Sequence, residues 1–248
     1  MYFLDTCIFI HASHKHSGWF DKTRKTVFKE KWLTSNIVVE ELEAIHKRRK
    51  TIYSNIISFD YNELEGEKIE IFYNRCIKSA LGGNKNDEKH LLKLYNYVIE
   101  STTLKNTDIL NKERIEKMKA VIFHLLVDIK IRLGNFVHNF KNDALYYGEH
   151  VVPEVWDSLG KYLRNQLYRI DHGTQNKLDL RIVTDAAIYS NDNNINLDIV
   201  TSDGYLLNMV NDIKQIIKSM EIHHVKSKRL HAKIDIIHIK DITTMPDT

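Results

Sequence analysis

The sequence predicts an α/β protein: a three-layer fold around a parallel sheet, carrying an inserted α-helical subdomain. Three observations point there. Short, wholly apolar runs alternate with helical periodicity at both ends of the chain, as buried parallel strands joined by helices do. Between those ends the periodicity is helical, with no convincing strand. Only two prolines and nine glycines occur in 248 residues, so long uninterrupted helices are expected.

The elements follow in order. Tyr2-Phe3-Leu4 reads as a central strand, Asp5 follows it, and Thr6 to Ile10 open the next element. Lys31-Trp32-Leu33-Thr34 reads as a second strand. Ser35 or Asn36 can cap the helix from Ile37 to about Lys50, whose apolar positions Val38, Leu42 and Ile45 share a face. A helix over Ile69 to Ile77 is broken by Gly82-Gly83. Leu91 to Ile99 and Ile115 to Leu133 are amphipathic, the latter with Met118, Val121, Ile122, Leu125 and Ile129 on one stripe. Another helix follows Pro153, a residue suited to a first turn. Leu178 to about Ser190 reads as a helix and Asp198 to Thr201 as a buried strand. Ser202 or Asp203 then caps a helix from Tyr205 to Met220, and Ile234 to Ile239 is the closing strand. On this reading residues 1–50 and 177–248 make the sheet domain, and 51–176 the insertion.

Composition narrows the class. Apolar residues are 43% and charged residues 28%, ordinary for a soluble globular protein. A net charge of +3 is too small to establish a nucleic-acid partner, although basic clusters stand at His46-Lys47-Arg48-Arg49-Lys50 and Lys226-Ser227-Lys228-Arg229. Cys7 and Cys76 lie far apart and read as reduced thiols. With no apolar run of membrane-spanning length and no basic leader, a soluble, cytoplasmic protein with no membrane partner is expected.

Four short acidic signatures carry the chemistry: Leu4-Asp5-Thr6, Val39-Glu40-Glu41-Leu42, Thr184-Asp185-Ala186-Ala187 and Val200-Thr201-Ser202-Asp203. Carboxylates at the C-terminal ends of parallel strands converge where open α/β sheets bind ligands. Gathered there they repel one another unless a cation lies between them, and a hard divalent ion suits oxygen ligands. Blander readings stay open. Asp5 and Asp203 are good turn or capping residues, and Asp185 could lie on a solvated helix face. Helical phase with Val38 and Leu42 favours Glu41 over Glu40.

Taken together, the four signatures resemble those of the PIN-domain nuclease family, which includes the VapC-like ribonucleases. Phe3 to Ile10 is similar to the family's first strand and turn, and Val38-Val39-Glu40-Glu41-Leu42 to its second motif. Thr184 to Ile188 is similar to the third, and Ile199 to Asp203 to the fourth. The resemblance covers about the first fifty and last seventy residues and leaves out the helical stretch. It implies a PIN-like sheet domain and a metal-dependent endoribonuclease. Asp5, Asp185 and Asp203 would hold Mg²⁺ or Mn²⁺ directly or through water, and Glu41 would ligate a second ion or orient the attacking water. Thr6 and Thr201 would hold the carboxylates in place. Lys47, Arg48 and Arg49 are candidate phosphate contacts, although cations also suit the end of a helix. RNA, with a single-strand preference, is the implied substrate; the family leaves room for a protein antitoxin or regulator and for a homodimer. Two other readings remain: a structure-specific nuclease for DNA flaps or tRNA precursors, and an inactive PIN-like scaffold that binds protein.

Other residues point less sharply. His11, His14 and His16 lack an acidic or cysteine partner at zinc-ligand spacing, and a surface loop at the site mouth is the better reading. Cys7 reads as a buried, inert thiol. Trp19, Trp32 and Trp156 read as packing residues.

Overall fold

In the computed structural model, residues 1–83, 87–141, 150–155, 157–170, 177–222 and 232–242 are described. Strand β1 (Tyr2–Leu4) has no charged side chain to turn outward, and Phe3 and Leu4 are fully buried. It pairs in parallel with β2 (Trp32–Ser35) on one side and β4 (Asn196–Thr201) on the other. Strand β3 (Val151–Val152) continues the sheet beyond β2, and β5 (Lys233–His238) beyond β4. Among the described residues the order is β3-β2-β1-β4-β5, and every pairing is parallel. The architecture is α/β, consistent with a three-layer fold. Parallel pairing brings the C-terminal ends of all these strands to one edge.

Strand β3 corrects the expectation that no strand lies between residues 51 and 176. Two residues carry no periodicity to read, and the pairing is visible only in space: β3 is zipped to β2, starting where the Thr34 N–H donates to the His150 carbonyl at 2.8 Å. Pro153 follows directly, and a residue without an N–H stops a ladder. Helix α7 (Ser158–Ile170) begins five residues later, so Pro153 ends a strand and does not start a helix.

Helix α1 (Thr6–Ser13) follows β1, and the short α2 (Phe20–Lys25) precedes β2. Helix α3 (Asn36–Ile57) runs past the expected end near Lys50, having no glycine or proline to stop it. The Ser35 hydroxyl accepts the Ile37 N–H at 3.2 Å at its start. Helix α4 (Ile69–Phe72) passes into a π-helical turn over Tyr73–Lys78, and α5 (Glu88–Thr102) and α6 (Lys112–Lys141) follow. Helix α8 (Lys177–Asn193) leads into β4. The single helix expected over Tyr205–Met220 is two: α9 (Gly204–Asn208) and α10 (Val210–Ile222), broken at Met209, whose ψ is −1°.

By contacts the chain divides into two units. One comprises Met1–Ala12, Trp19–Glu43 and Asn135–Thr248; the other comprises Ser13–Gly18 and Ala44–Gly134. Thus β3 and α7, which the sequence left in the helical stretch, pack with the sheet. The first unit buries Phe3, Leu4, Val38, Leu42, Val183, Ile199 and Val200. Phe9 meets Phe28, Trp32, Phe136 and Phe140 at centroid distances of 5.3–5.7 Å, so Trp32 is a packing residue as expected. Trp19 lies edge-on to His238, and Trp156 is outside the described residues. The second unit has its own apolar core, including Tyr53, Leu64, Phe72, Leu94, Met118 and Ile129. Among the described residues no helix is long and apolar enough to cross a membrane.

Candidate active site

Asp5 leaves β1 at the C-terminal edge of the sheet, its N–H held by the Val200 carbonyl at 3.2 Å. The residue is 4% exposed and both its carboxylate oxygens are engaged. Oδ1 accepts the Thr6 N–H at 2.6 Å; Oδ2 accepts the Thr201 hydroxyl at 2.8 Å and the Cys7 thiol at 3.0 Å. The Thr201 oxygen in turn accepts the Asp203 N–H at 2.9 Å, so one hydroxyl ties the two acidic turns together. Asp203 also accepts the Tyr205 N–H at 2.7 Å and caps α9. Capping and membership of the acidic group are therefore compatible roles for one residue. On the neighbouring helix, the Thr6 hydroxyl donates to Glu41 Oε2 at 2.5 Å. Glu41 is half-buried and Glu40 is exposed, which distinguishes the adjacent pair.

Asp185 lies in the middle of α8 and is completely buried, so it is not on a solvated helix face. It accepts the Ser35 hydroxyl at the end of β2, 2.6 Å, and the Val155 N–H just beyond β3, 3.0 Å. One turn earlier on α8, Arg181 grips Glu154 through two bonds of 2.7 and 2.6 Å. Arg164 also donates to Glu154 at 2.7 Å and to the Val155 carbonyl. The structure thus joins Asp5, Thr6, Glu41, Thr201 and Asp203 in one network and sets Asp185 in another along the same strand ends.

Electrostatics mark both networks. Burial raises the Asp5 carboxyl above its ordinary range, and the Asp203 charge adds to the effect against the bonds from Cys7, Thr201 and Thr6. Burial also raises Asp203. Asp185 is pushed up to about 6, by burial first and by Glu154 second, against Ser35, Val155 and Arg164. Burial and the Asp5 charge hold the Cys7 thiol well above its usual range, which keeps it protonated and inert. Among the described residues, the donors to the Asp5 and Asp203 carboxylates are neutral N–H, O–H and S–H groups.

The donors are carboxylate and hydroxyl oxygens, the set that hard Mg²⁺ or Mn²⁺ takes. Their raised proton affinity is the electrostatic condition that a divalent cation relieves, so the residues fit such an ion in kind. As the side chains stand, no group of three or more His, Cys, Asp and Glu among the described residues is gathered to hold a metal. Asp185, with both oxygens occupied, suits a water-mediated contact better than a direct one.

Two expectations change in the structure. Arg48 and Arg49, the candidate phosphate contacts, are both engaged by a carboxylate. Both pair with the buried Asp87, Nε to carboxylate at 2.5 and 2.8 Å, and Arg49 is itself 7% exposed. Burial works to raise the Asp87 carboxyl, but the two guanidiniums outweigh it and hold it below its ordinary value. Lys47 stays exposed. The expected surface loop does not hold for His14, which is 1% exposed and packs with Tyr53, His90 and Arg49 in the second unit. His11, in the first unit, reaches the acidic edge, with Nε2 2.8 Å from the Ser202 hydroxyl. The basic cluster at 226–229 lies outside the described residues.

Some participants carried no usable sequence signal for this role. Ser35 was legible as a cap, but its bond to Asp185 spans 150 positions. Glu154, Val155 and Arg181 gain their roles only when β3 places its following residues beside α8. Compared with protein-family models, curated proteins and solved structures, the chain matches none.

Proposed function

We propose that this protein is a metal-dependent phosphodiesterase of PIN-like type, acting as a cytoplasmic endoribonuclease on RNA. The observation that carries the reading is the pairing of Asp5 and Asp203 through Thr201, with Glu41 joined through Thr6. Asp5 is buried and its proton affinity is raised by the Asp203 charge; both follow the C-terminal ends of parallel strands, where α/β folds do their chemistry.

Asp5, Glu41 and Asp203 would hold Mg²⁺ or Mn²⁺, with Asp185 acting through water. Such an ion neutralises phosphate charge and acidifies a bound water. The residues supply the rest. Thr201 fixes the Asp5 carboxylate and the Asp203 backbone at once, and Thr6 fixes Glu41. Ser35 and the Val155 N–H hold Asp185 against the ends of β2 and β3. Of the three candidate phosphate contacts, Lys47 is the exposed one, and it would contact the RNA backbone. An antitoxin or regulator, or a second copy of the chain, would act by covering or completing this edge.

The test is cleavage of mixed single-stranded RNA and DNA with Mn²⁺ by wild type, Asp5→Asn and Asp203→Asn. RNA cleavage by wild type alone is expected. Equal rates for the three proteins would remove the basis for the reading, and a DNA preference would redirect the substrate assignment.

A further inference from the structure

Hydrolysis of a phosphodiester requires a proton for the leaving oxygen as well as an activated water, and the donors around this site can be sorted. The Thr6 hydroxyl donates to Glu41, the Thr201 hydroxyl and Cys7 thiol to Asp5, and the Ser35 hydroxyl to Asp185. Each of these protons is engaged by a carboxylate. Ser202 differs: its hydroxyl partner is the imidazole of His11, at 2.8 Å.

The pair is also held in place. The Ser202 N–H donates to Cys7 Sγ at 3.1 Å, and the same sulfur contacts Asp5 at 3.0 Å. Ser202 directly precedes Asp203 in the acidic turn, while His11 lies one helical turn beyond Cys7 on α1. Both His11 and Ser202 are partly open to solvent, so the hydroxyl can meet a substrate oxygen. Imidazole is the side chain that carries and releases a proton near neutral pH, and a bound hydroxyl can pass one on.

We propose that His11 and Ser202 form the proton-delivery pair of this site, an inference that rests on the phosphodiesterase reading. Water attacks phosphorus and the bond to the leaving oxygen breaks, its electrons staying on that oxygen. The leaving oxygen takes the Ser202 hydroxyl proton as Ser202 takes one from the His11 imidazolium. The attacking water gives up its proton to a site carboxylate and thence to solvent, from which the imidazole is recharged. Ser202 meets the substrate; His11 acts through it.

Leaving-group dependence tests this directly. RNA has a poor leaving oxygen that needs the proton, whereas bis(4-nitrophenyl) phosphate releases a stable phenolate without one. His11→Gln and Ser202→Ala should each slow RNA cleavage about 100-fold or more, the ordinary size of general acid catalysis. Both should stay within about 3-fold of wild type on the activated diester, because that reaction does not use the general acid. Asp5→Asn should lose both reactions. Equal losses on the two substrates by both variants, with circular dichroism unchanged, would overturn the proton-delivery role and leave the phosphodiesterase reading standing. If wild type cleaves neither substrate, both fall. Should His11→Gln fail to fold, Ser202→Ala decides alone, since it removes one oxygen from a partly exposed turn.

Discussion

The two units bury charge in opposite ways. At the sheet edge, Asp5 and Asp203 sit close enough for one charge to raise the other's proton affinity, and their donors are neutral N–H, O–H and S–H groups. In the second unit Asp87 is just as buried, yet Arg48 and Arg49 clamp it and hold its carboxyl below the usual range. Around it, His14, His16, His90 and Tyr53 form a packed polar cluster with ring centroids 4.7–5.3 Å apart among the histidines. Burial makes two of those imidazoles poor bases: His16 is brought down to about 4, and His90 lies well below its ordinary value. Compensated charge of the second kind specifies a packing arrangement. Charge of the first kind, met among the described residues by neutral donors, is the kind of perturbed group that marks a candidate functional site.

The largest expected effect tests the structural half of that contrast. Asp87→Asn leaves Arg49 buried without its carboxylate, and should cost about 3–5 kcal/mol in urea unfolding. A loss under 1 kcal/mol would mean that the clamp is not structural. Next comes the acidic edge: Asp5→Asn should reduce Mn²⁺-dependent RNA cleavage by roughly 100-fold or more, about 2.7 kcal/mol of transition-state stabilisation. A cleavage rate within threefold of wild type would place the chemistry elsewhere.

A smaller effect contrasts the units through pH. Asp185 rises from 3.8 to about 6 on folding, so the folded state holds more protons between those values. Its contribution to stability is greatest below about pH 4 and is lost as pH climbs toward 6. His16 falls from 6.5 to about 4, so there the unfolded state holds more protons. That contribution is full above pH 6.5 and is lost as pH falls toward 4. In chelator, Asp185→Asn should therefore steepen the loss of stability on acidification, and His16→Gln should flatten it. Urea midpoints at pH 4.5, 5.5 and 7 measure both slopes, and changes of the same sign would defeat the assignment. The smallest effect belongs to Lys47. Being exposed, Lys47→Ala should change stability by less than about 0.5 kcal/mol. If Lys47 contacts phosphate, the slope of log binding constant against log salt for single-stranded RNA should shrink by about 0.7. An unchanged slope would remove it from the RNA path.

Much of this arrangement could be read from residue order. Tyr2-Phe3-Leu4 read as a buried central strand, and the apolar spacing of Val38, Leu42 and Ile45 put Glu41, not Glu40, beside the inward face. Thr6 and Thr201 were legible as hydroxyls beside carboxylates, and the structure bonds each to one. Strand β3 was not legible, because a two-residue strand has no period. The occupation of Arg48 and Arg49 was hidden for a different reason: their partner Asp87 is 38 positions away from Arg49, with no local pattern linking them.

The sequence by itself determined the α/β class, the order of the main strands and helices, and the placing of Asp5 and Asp203 just after strands. Periodicity and capping act over a few residues, and these features depend on nothing longer. Only the tertiary structure decided what each polar group meets. It gave Asp5 the Thr201 hydroxyl, Asp185 the Ser35 hydroxyl, Ser202 the His11 imidazole, and Asp87 its two arginines. Those choices follow from strand order and helix packing, which bring together residues that no sequence window contains and leave each buried polar atom to find its partner there.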